Sequence, residues 1–457
     1  MRRVEKQLLF PVRGVECDIA HHDVEPREGR TFPAPFAMNV RGRCSVEHRR
    51  RGGSRPGFAV VGDVTSDGGG TWKWPDGSAV LWPTGAAITF PGDGTYFAPD
   101  GSRVIDPHAV PRVSASKGNA PTGVSIATIY RDRVFAASGS DWFCSRIGDA
   151  TDWDYGGDRD DPSRASAGNC AVAGVKGDAI KAFMPVYDAW LYIATSRSLW
   201  CMEADPCSGS FRCISPSVGA SGPAAWCWTG RRLFFLSKNG LYGVSPGEAP
   251  VHVSEAIPQI SGDAGSFIGY DPEEDALHVF TTGGDWYVEL EGERPAFWPV
   301  SFETGKRPAA ACRMTVGGTD RAAFRCADGA WRTFSDSAVC EMPSKVAIGP
   351  FRVSASDDMD GMLAEIHLAT GVSPSVTDLN ASVSMKIYMG KSAEDAEHAA
   401  ASGASPSGTF SFAAGWNAVW RPRARGAWCV AVIECQRGRW AFEALRAVMR
   451  HTGRIRP

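Results

Sequence analysis

No stretch of this 457-residue chain approaches the ~18 consecutive apolar residues that a membrane-crossing helix needs. The basic start Met1-Arg2-Arg3 leads only to Leu8-Leu9-Phe10 before Pro11 intervenes, too short for the apolar core of a secretory signal. The expectation is a protein made and kept in a cytosol until a larger assembly forms. Long helical periodicity is scarce as well. There is no phosphate-cradling loop of the P-loop kind and no Gly-x-Ser-x-Gly nucleophile elbow. His21-His22 and seven scattered histidines show no ligand spacing, and the 13 cysteines form no Cys-x-x-Cys pair. Cys201, Cys207 and Cys213 stand six residues apart among apolar neighbours, which reads as buried reduced thiols behaving as small hydrophobes. These absences leave no catalytic group, metal set or cofactor site to nominate. An enzyme is not expected.

What the chain does have is 51 Gly, 30 Pro and 16 Trp. Glycine supplies positive φ and proline fixes φ, so the composition suits short strands joined by tight turns. Between residues 58 and 345 one theme recurs: a short β-branched or aromatic strand, a turn, and a second strand carrying an aromatic. Arg133-Val-Phe-Ala-Ala precedes Asp141-Trp-Phe-Cys-Ser, and Ala189-Trp-Leu-Tyr-Ile-Ala precedes Ser198-Leu-Trp-Cys-Met. Arg232-Leu-Phe-Phe-Leu, Ala276-Leu-His-Val-Phe and Ala322-Ala-Phe-Arg-Cys open three more. Asn239-Gly240 and Asp328-Gly329 are hairpin signals, because type I′ turns need positive φ. The openings at 133, 189, 232, 276 and 322 lie 56, 43, 44 and 46 residues apart, a period that suits propeller blades and competes with a series of β-sandwiches.

The expected architecture is therefore all-β. It comprises an extended N-terminal arm over 1–57, a β-propeller over 58–345, a β-rich, sandwich-like domain over 346–440 and a basic tail over 441–457. Pro11, Pro26, Pro33, Pro35 and Pro56 exclude long helices from the arm. In the third domain Val383-Ser-Met-Lys-Ile-Tyr-Met alternates as a strand. One surface helix is predicted over 392–402, with Ser392 as N-cap, Asp395 at the capping-box position and Gly403 as its stop.

Charge is uneven. Residues 1–57 hold 12 Lys+Arg against 7 Asp+Glu and residues 421–457 hold 9 against 2, while the whole chain is at −3. The stretch 58–420 thus carries −15. Basic ends on an acidic body suit docking on neighbouring acidic surfaces and exclude an ordinary duplex binder, which needs a basic body. Two arginine clusters are the candidate assembly contacts: Arg49, Arg50, Arg51 and Arg55, and Arg421, Arg423 and Arg425. Thr65 to Trp72 fits an Asp-box, a folding turn built on Thr65, Asp67, Gly69, Thr71 and Trp72 and found in sialidase-like propellers. The acidic clusters at Asp158, Asp160, Asp161 and at Asp357, Asp358, Asp360 lack EF-hand spacing and read as solvated loops.

Several stretches, in order, resemble the nozzle or tail hub proteins of short-tailed bacteriophages, the packaged DNA stabilisation and tail tubular B types. They are Leu9-Phe-Pro-Val-Arg-Gly-Val15 with Met38-Asn-Val-Arg41, then Arg51-Gly-Gly-Ser-Arg-Pro-Gly57. Asp132-Arg-Val-Phe135 through Phe143 to Trp153, Val346 to Arg352, and Arg421 to Gly426 with Phe442-Glu443 and Gly453-Arg454 follow. The resemblance implies a homo-hexameric ring in the virion, each subunit a propeller, placed below the portal and adaptor rings. Tail fibres or spikes would attach outside, and double-stranded DNA would pass through the lumen without sequence-specific binding. An acidic lumen would repel phosphate. Two rivals stand beside it: a carbohydrate-binding or sialidase-like propeller, suggested by the Asp-box and the tryptophans, and a cytosolic scaffold propeller that binds peptides.

Overall fold

The tandem hairpins carry the middle of the chain. A computed structural model describes residues 3–21, 24–25, 31–46, 49–61, 71–73, 79–81, 88–89, 96–97, 103–104, 113, 115–171, 177–292, 294–316, 319–328, 330–356, 359–372, 379 and 381–455. Three successive four-stranded antiparallel sheets follow one another. Blade I is Ile126–Tyr130, Arg133–Ser138, Asp141–Cys144 and Ser166–Asn169. Blade II is Ile180–Val186, Trp190–Thr195, Leu199–Glu203 and Ser210–Ser215. Blade III is Trp226–Trp228, Leu233–Ser237, Gly240–Val244 and Val251–His252. The hairpins Phe267–Asp271 with Ala276–Thr281 and Pro308–Val316 with Thr319–Cys326 extend the series.

The blades stack face to face, and the two-residue strand period decides what each face touches. On blade II, Leu191, Ile193, Trp200 and Met202 pack with Phe135, Trp142 and Cys144 of blade I. The intervening Tyr192, Ala194, Leu199 and Cys201 pack with Trp226, Leu233 and Phe235 of blade III. Central strands buried on both faces read as continuous apolar runs, as Leu233 to Leu236 does. The tryptophans fill these seams: Trp200 stacks on Phe211 at 5.1 Å, and Trp142 meets the same ring edge-on at 5.7 Å. The fold is all-β and propeller-type, with an extended N-terminal segment and a β-rich C-terminal part bearing one short helix.

A single cation locks blade I to blade II. The Arg133 side chain is fully buried. Its Nε donates to Asp205 Oδ2 at 3.2 Å, and its terminal nitrogens donate to the carbonyls of Ser145 (2.9 Å), Pro162 (2.7 Å) and Arg164 (2.5 Å). One guanidinium thus fixes the long loop 145–165 and the Asp205 turn together.

The chain divides into two compact units that cross the expected boundaries: 1–60 with 285–307 and 332–457, and 61–284 with 308–331. In the first unit the expected basic tail is a sheet strand. Phe442–Ile455 pairs with Met359–Thr370 and also with Arg3–Leu8, so the expected arm begins as a strand of the same sheet. That sheet runs Arg3–Leu8, Phe442–Ile455, Met359–Thr370, Gly415–Trp420, with Arg425–Gly426 alongside Met359–Thr370. A second sheet holds Ala37–Met38, Ser344–Arg352, Trp428–Cys435, Val383–Gly390 and Gly408–Phe412. Both are antiparallel.

The helix Ala393–Ala401 begins as the sequence predicts. Ser392 Oγ accepts from the Asp395 N–H at 3.0 Å and Asp395 Oδ2 accepts from the Ser392 N–H at 3.2 Å. It buries Ala393, Ala396 and Ala400 against Tyr388 and Trp428, and Gly403 turns the chain at φ +68°. Among the described residues no helix is long and apolar enough to cross a membrane.

Replacing Arg133 by Met removes the cation paired with Asp205 and takes a donor from the carbonyls of Ser145 and Pro162. The expected loss is about 3–5 kcal/mol of stability, read as a lowered urea midpoint. A midpoint unchanged from wild type would show that the blades do not depend on this cation.

Candidate assembly surface

The first arginine cluster is largely a structural knot. Asn39, at φ +55°, is fully buried and accepts through Oδ1 from Arg55 Nε (3.1 Å) and the Ser301 N–H (2.8 Å). Arg55 also donates to the Ser301 carbonyl at 3.0 Å and lies over the Phe302 and Phe334 rings. Burial lowers its pKa to about 10, and it remains a cation at neutral pH. Around it the glycines of Arg51 to Gly57 permit close approach. A Cβ on Gly52 would lie 2.3 Å from the Phe10 ring, and one on Gly53 would lie 2.2 Å from the Trp440 carbonyl. Ser54 and Trp440 exchange hydrogen bonds, and Arg51 pairs with Glu443.

The expectation that Arg55 contacts a neighbouring subunit is therefore corrected. It is 3% exposed, and its donors are spent inside the fold. Arg49 and Arg50 lie in the strand Arg49–Ser54, and their side chains fall outside the described residues. Replacing Arg55 by Met should lower stability by about 2–4 kcal/mol in chemical denaturation, because Asn39 Oδ1 and the Ser301 carbonyl lose a buried donor. An unchanged midpoint would return Arg55 to the list of surface contacts.

The second cluster differs. Arg421, Arg423 and Arg425 are all exposed, and among the described residues none makes an ion pair. Their backbone is nonetheless held: the Arg421 N–H donates to the Ala364 carbonyl at 2.8 Å, and the Leu363 N–H donates to the Ala424 carbonyl at 2.9 Å. Arg425 sits opposite Met362 in register. Arg421 and Arg423 flank Pro422 at φ +61° and +59°, a left-handed conformation that costs a non-glycine residue ~1 kcal/mol or more.

Immediately before this loop runs the edge strand Gly415–Trp420. Its alternation leaves Trp416 60% and Trp420 66% exposed, the most exposed of the described tryptophans. Both indoles flank His367, at ring distances of 5.7 and 5.4 Å. Behind His367 the polar row continues: its Nε2 is 3.4 Å from Glu365 Oε2, and Arg3 donates to Glu365 Oε1 at 3.0 Å. Val372, also exposed, lies beside the start of the strand at Gly415. The result is an edge strand with two projecting indoles, followed by a loop that carries three exposed cations. The arginines stand out in the sequence as a cluster, and the tryptophans do not. Their strict alternation, Trp416-Asn-Ala-Val-Trp420, was the available signal, but it does not say which face lacks a covering layer.

A further polar cluster was not foreseen. Asp271, Glu274 and His278 bring ligand-type atoms within 4.8 Å of one another on the hairpin Phe267–Asp271/Ala276–Thr281. Arg321 supplies positive charge there, with Nε 3.4 Å from Asp271 Oδ2 and a terminal nitrogen 3.5 Å from Glu274 Oε1. Asp158 and Asp160 are exposed, as expected of a solvated loop, and two of the acids also cap turns: Asp158 Oδ1 accepts from the Asp160 N–H and Asp161 Oδ1 from the Ser163 N–H. Asp357 and Asp358 lie outside the described residues. Of the Asp-box, Thr65, Asp67 and Gly69 also lie outside them, while Thr71 and Trp72 fall in the strand Thr71–Lys73, paired with Ala79–Leu81. Cys201 is buried as expected, and burial pushes Cys144 up to about 12 and Cys201 up to about 11, whereas Cys207 and Cys213 are half-buried and Cys17 is exposed.

Hydrogen bonds from Ser163 and Arg146 hold the Asp161 carboxyl at about 2, below its ordinary 3.8. A depressed folded pKa contributes stability that is present above the ordinary value and is lost as pH falls toward 2. Asp161→Asn should therefore differ most from wild type in urea midpoint at pH 7, and the two should converge near pH 2. A difference that persists to pH 2 would contradict this assignment.

No family model matches this chain, and no curated protein matches it. Among solved structures it is similar to the extracellular domain of a one component system from B. thetaiotaomicron (TM-score 0.36, 10% identity), covering 74% of this chain and 42% of that one. It is similar to PorZ, a surface component of the type-IX secretion system of Porphyromonas gingivalis (TM-score 0.24, 11% identity), covering 80% and 45%. A glycoside hydrolase family 43 arabinoxylan arabinofuranohydrolase from Bacillus subtilis is a third (TM-score 0.21, 11% identity, 72% and 95% covered). The chain spans less than half the length of the first two. Likenesses this distant transfer neither activity nor partners to it.

Proposed function

We propose that this chain is a structural subunit of a short-tailed bacteriophage tail. In this reading it forms a nozzle ring that closes the DNA-filled head and conducts DNA at ejection. The observation that carries the proposal is the edge formed by Trp416, Trp420, Arg421, Arg423 and Arg425. Tryptophan and arginine are the residues most enriched at the energetic centres of protein interfaces. Here two largely exposed indoles on an edge strand stand next to three exposed guanidiniums on the loop that follows it. Exposed apolar area of this kind is a liability on a free monomer and an asset on a subunit.

The resemblance to nozzle proteins supplies the setting: a homo-hexamer, a portal–adaptor ring above, fibres or spikes outside and DNA in the lumen. Propeller blades support such a role, because stacked sheets make a stiff wall unit with short edges. Arg51 to Gly57 and Asp132 to Trp153, two of the stretches that carry the resemblance, do structural work around Arg55 and Arg133. The role proposed is assembly, not chemistry.

The test is the mass and symmetry of the purified chain, alone and with a portal–adaptor complex, by native mass measurement and particle averaging. A closed ring, six-fold on the resemblance, is the expected result, including one that forms only on the adaptor. A persistent monomer that ignores the adaptor and binds glycans would overturn it in favour of a carbohydrate-binding propeller, whose sugar rings would stack on the same indoles.

A further inference from the structure

We infer that the recess at one end of blades II and III, bordered by the hairpin that follows them, binds a small ligand through a phosphate group. The inference stands apart from the ring reading, since a chain that never assembles would bind in the same way.

Backbone builds the recess. The segment joining blade II to blade III donates from the Ala220 N–H to the Thr195 carbonyl at 3.0 Å. The segment leaving blade III donates from the Gly262 N–H to the Ser237 carbonyl at 2.8 Å. Each joining segment is thus tied to the middle hairpin of the blade it leaves. Glycine permits the close approach: a Cβ on Gly219 would lie 2.1 Å from the Thr195 carbonyl oxygen, and one on Gly262 would lie 2.5 Å from Ser221 Oγ. The cavity left between these segments is about 340 Å³, at the small end of ligand sites. Walls fixed in this way lose little conformational freedom on binding.

Its polar lining is Asp178, Lys181, Ser196, Ser221, Lys238 and Asp263. The two carboxylates are spent on the fold. Asp178 accepts from Arg197 Nε at 3.0 Å, from a terminal nitrogen of the same guanidinium at 3.3 Å, and from the Ser196 hydroxyl. Asp263 accepts from the Gly265 N–H at 2.8 Å, the Thr282 N–H at 3.2 Å and the Thr282 hydroxyl. The two ammonium groups are not spent. Lys181 and Lys238 are exposed, and among the described residues neither makes an ion pair. With Arg197 counted, three cations face two carboxylates, a local positive surplus on a stretch of chain that is acidic as a whole.

Ser221 adds an independent observation. It is half-buried on the same wall, and its Oγ is shut off from water with no hydrogen-bond partner among the described residues. A hydroxyl left unmet is a cost that an incoming oxyanion removes. Ammonium groups are compact point charges that suit phosphate, and a hydroxyl completes such a set. No aromatic ring lines the cavity among the described residues, so a ligand held by stacking does not fit it. The small volume and the acidic surroundings favour a free phosphorylated molecule over the backbone of a duplex.

The experiment titrates inorganic pyrophosphate into the full-length chain by calorimetry at fixed ionic strength, for wild type, K181A, K238A and K181A/K238A. Both lysines are exposed, and thermal melting checks that each variant is folded. R421Q/R423Q/R425Q serves as a control that removes basic charge elsewhere. Wild type and this control are expected to bind saturably and alike. Each single lysine variant should bind ~10-fold more weakly, and the double variant should show no saturable binding.

A wild type that takes up no pyrophosphate would overturn the inference. So would a folded K181A/K238A that binds as tightly as wild type, or a loss of binding in the control as large as in the double variant. A short DNA duplex added to the complex should leave pyrophosphate bound; displacement that needs Lys181 and Lys238 would overturn the assignment to a small ligand.

Discussion

A guanidinium cannot be taken out of water unless its donors are met, and this protein is built around that constraint. Arg133 has a fully buried side chain because Asp205 and the carbonyls of Ser145, Pro162 and Arg164 surround it. Those carbonyls belong to an irregular loop that has few ladder partners of its own. The cation satisfies the loop, and the loop solvates the cation. The seam between blades I and II closes over this arrangement. Arg55, which donates to Asn39 Oδ1 and the Ser301 carbonyl, repeats the solution in the other unit. Buried arginine here orders loops between sheets.

Against that background the free arginines gain meaning. Arg421, Arg423 and Arg425 have the same side chain, the same fixed backbone and no carboxylate or carbonyl cage among the described residues. Beside them Trp416 and Trp420 project from an edge strand, while tryptophans such as Trp153, Trp298 and Trp428 are fully buried. Where residue types used for the core elsewhere stand in solvent together, a partner surface is the economical account. A subunit of a larger wall needs such an edge. A monomeric enzyme or carrier would expose it for no return.

The local features were legible in the sequence. The hairpins at 133, 189 and 232 follow from alternation and turn residues, and the helix follows from the Ser392–Asp395 capping box. What was not legible depends on partners far away in the chain. Nothing within Arg3–Leu8 reveals that it pairs with Leu445 to Arg450, so the sequence alone suggests an arm at one end and a tail at the other. Arg55 sits in a run of arginines and glycines that looks like a solvent-facing loop. Only its hydrogen bonds to Asn39 and Ser301 show otherwise. The Asp271, Glu274 and His278 cluster was hidden because a hairpin turn, not a ligand motif, brings it together.

On the proposed role, the Trp416–Arg425 edge is a surface this protein buries when it works. The most direct measurement is oxidative footprinting of Trp416 and Trp420 by mass spectrometry, in the assembled ring and in the dilute chain. Strong protection of both indoles on assembly, with the already buried Trp428 unchanged, is the predicted result. Equal oxidation of Trp416 and Trp420 in the two states would contradict the account.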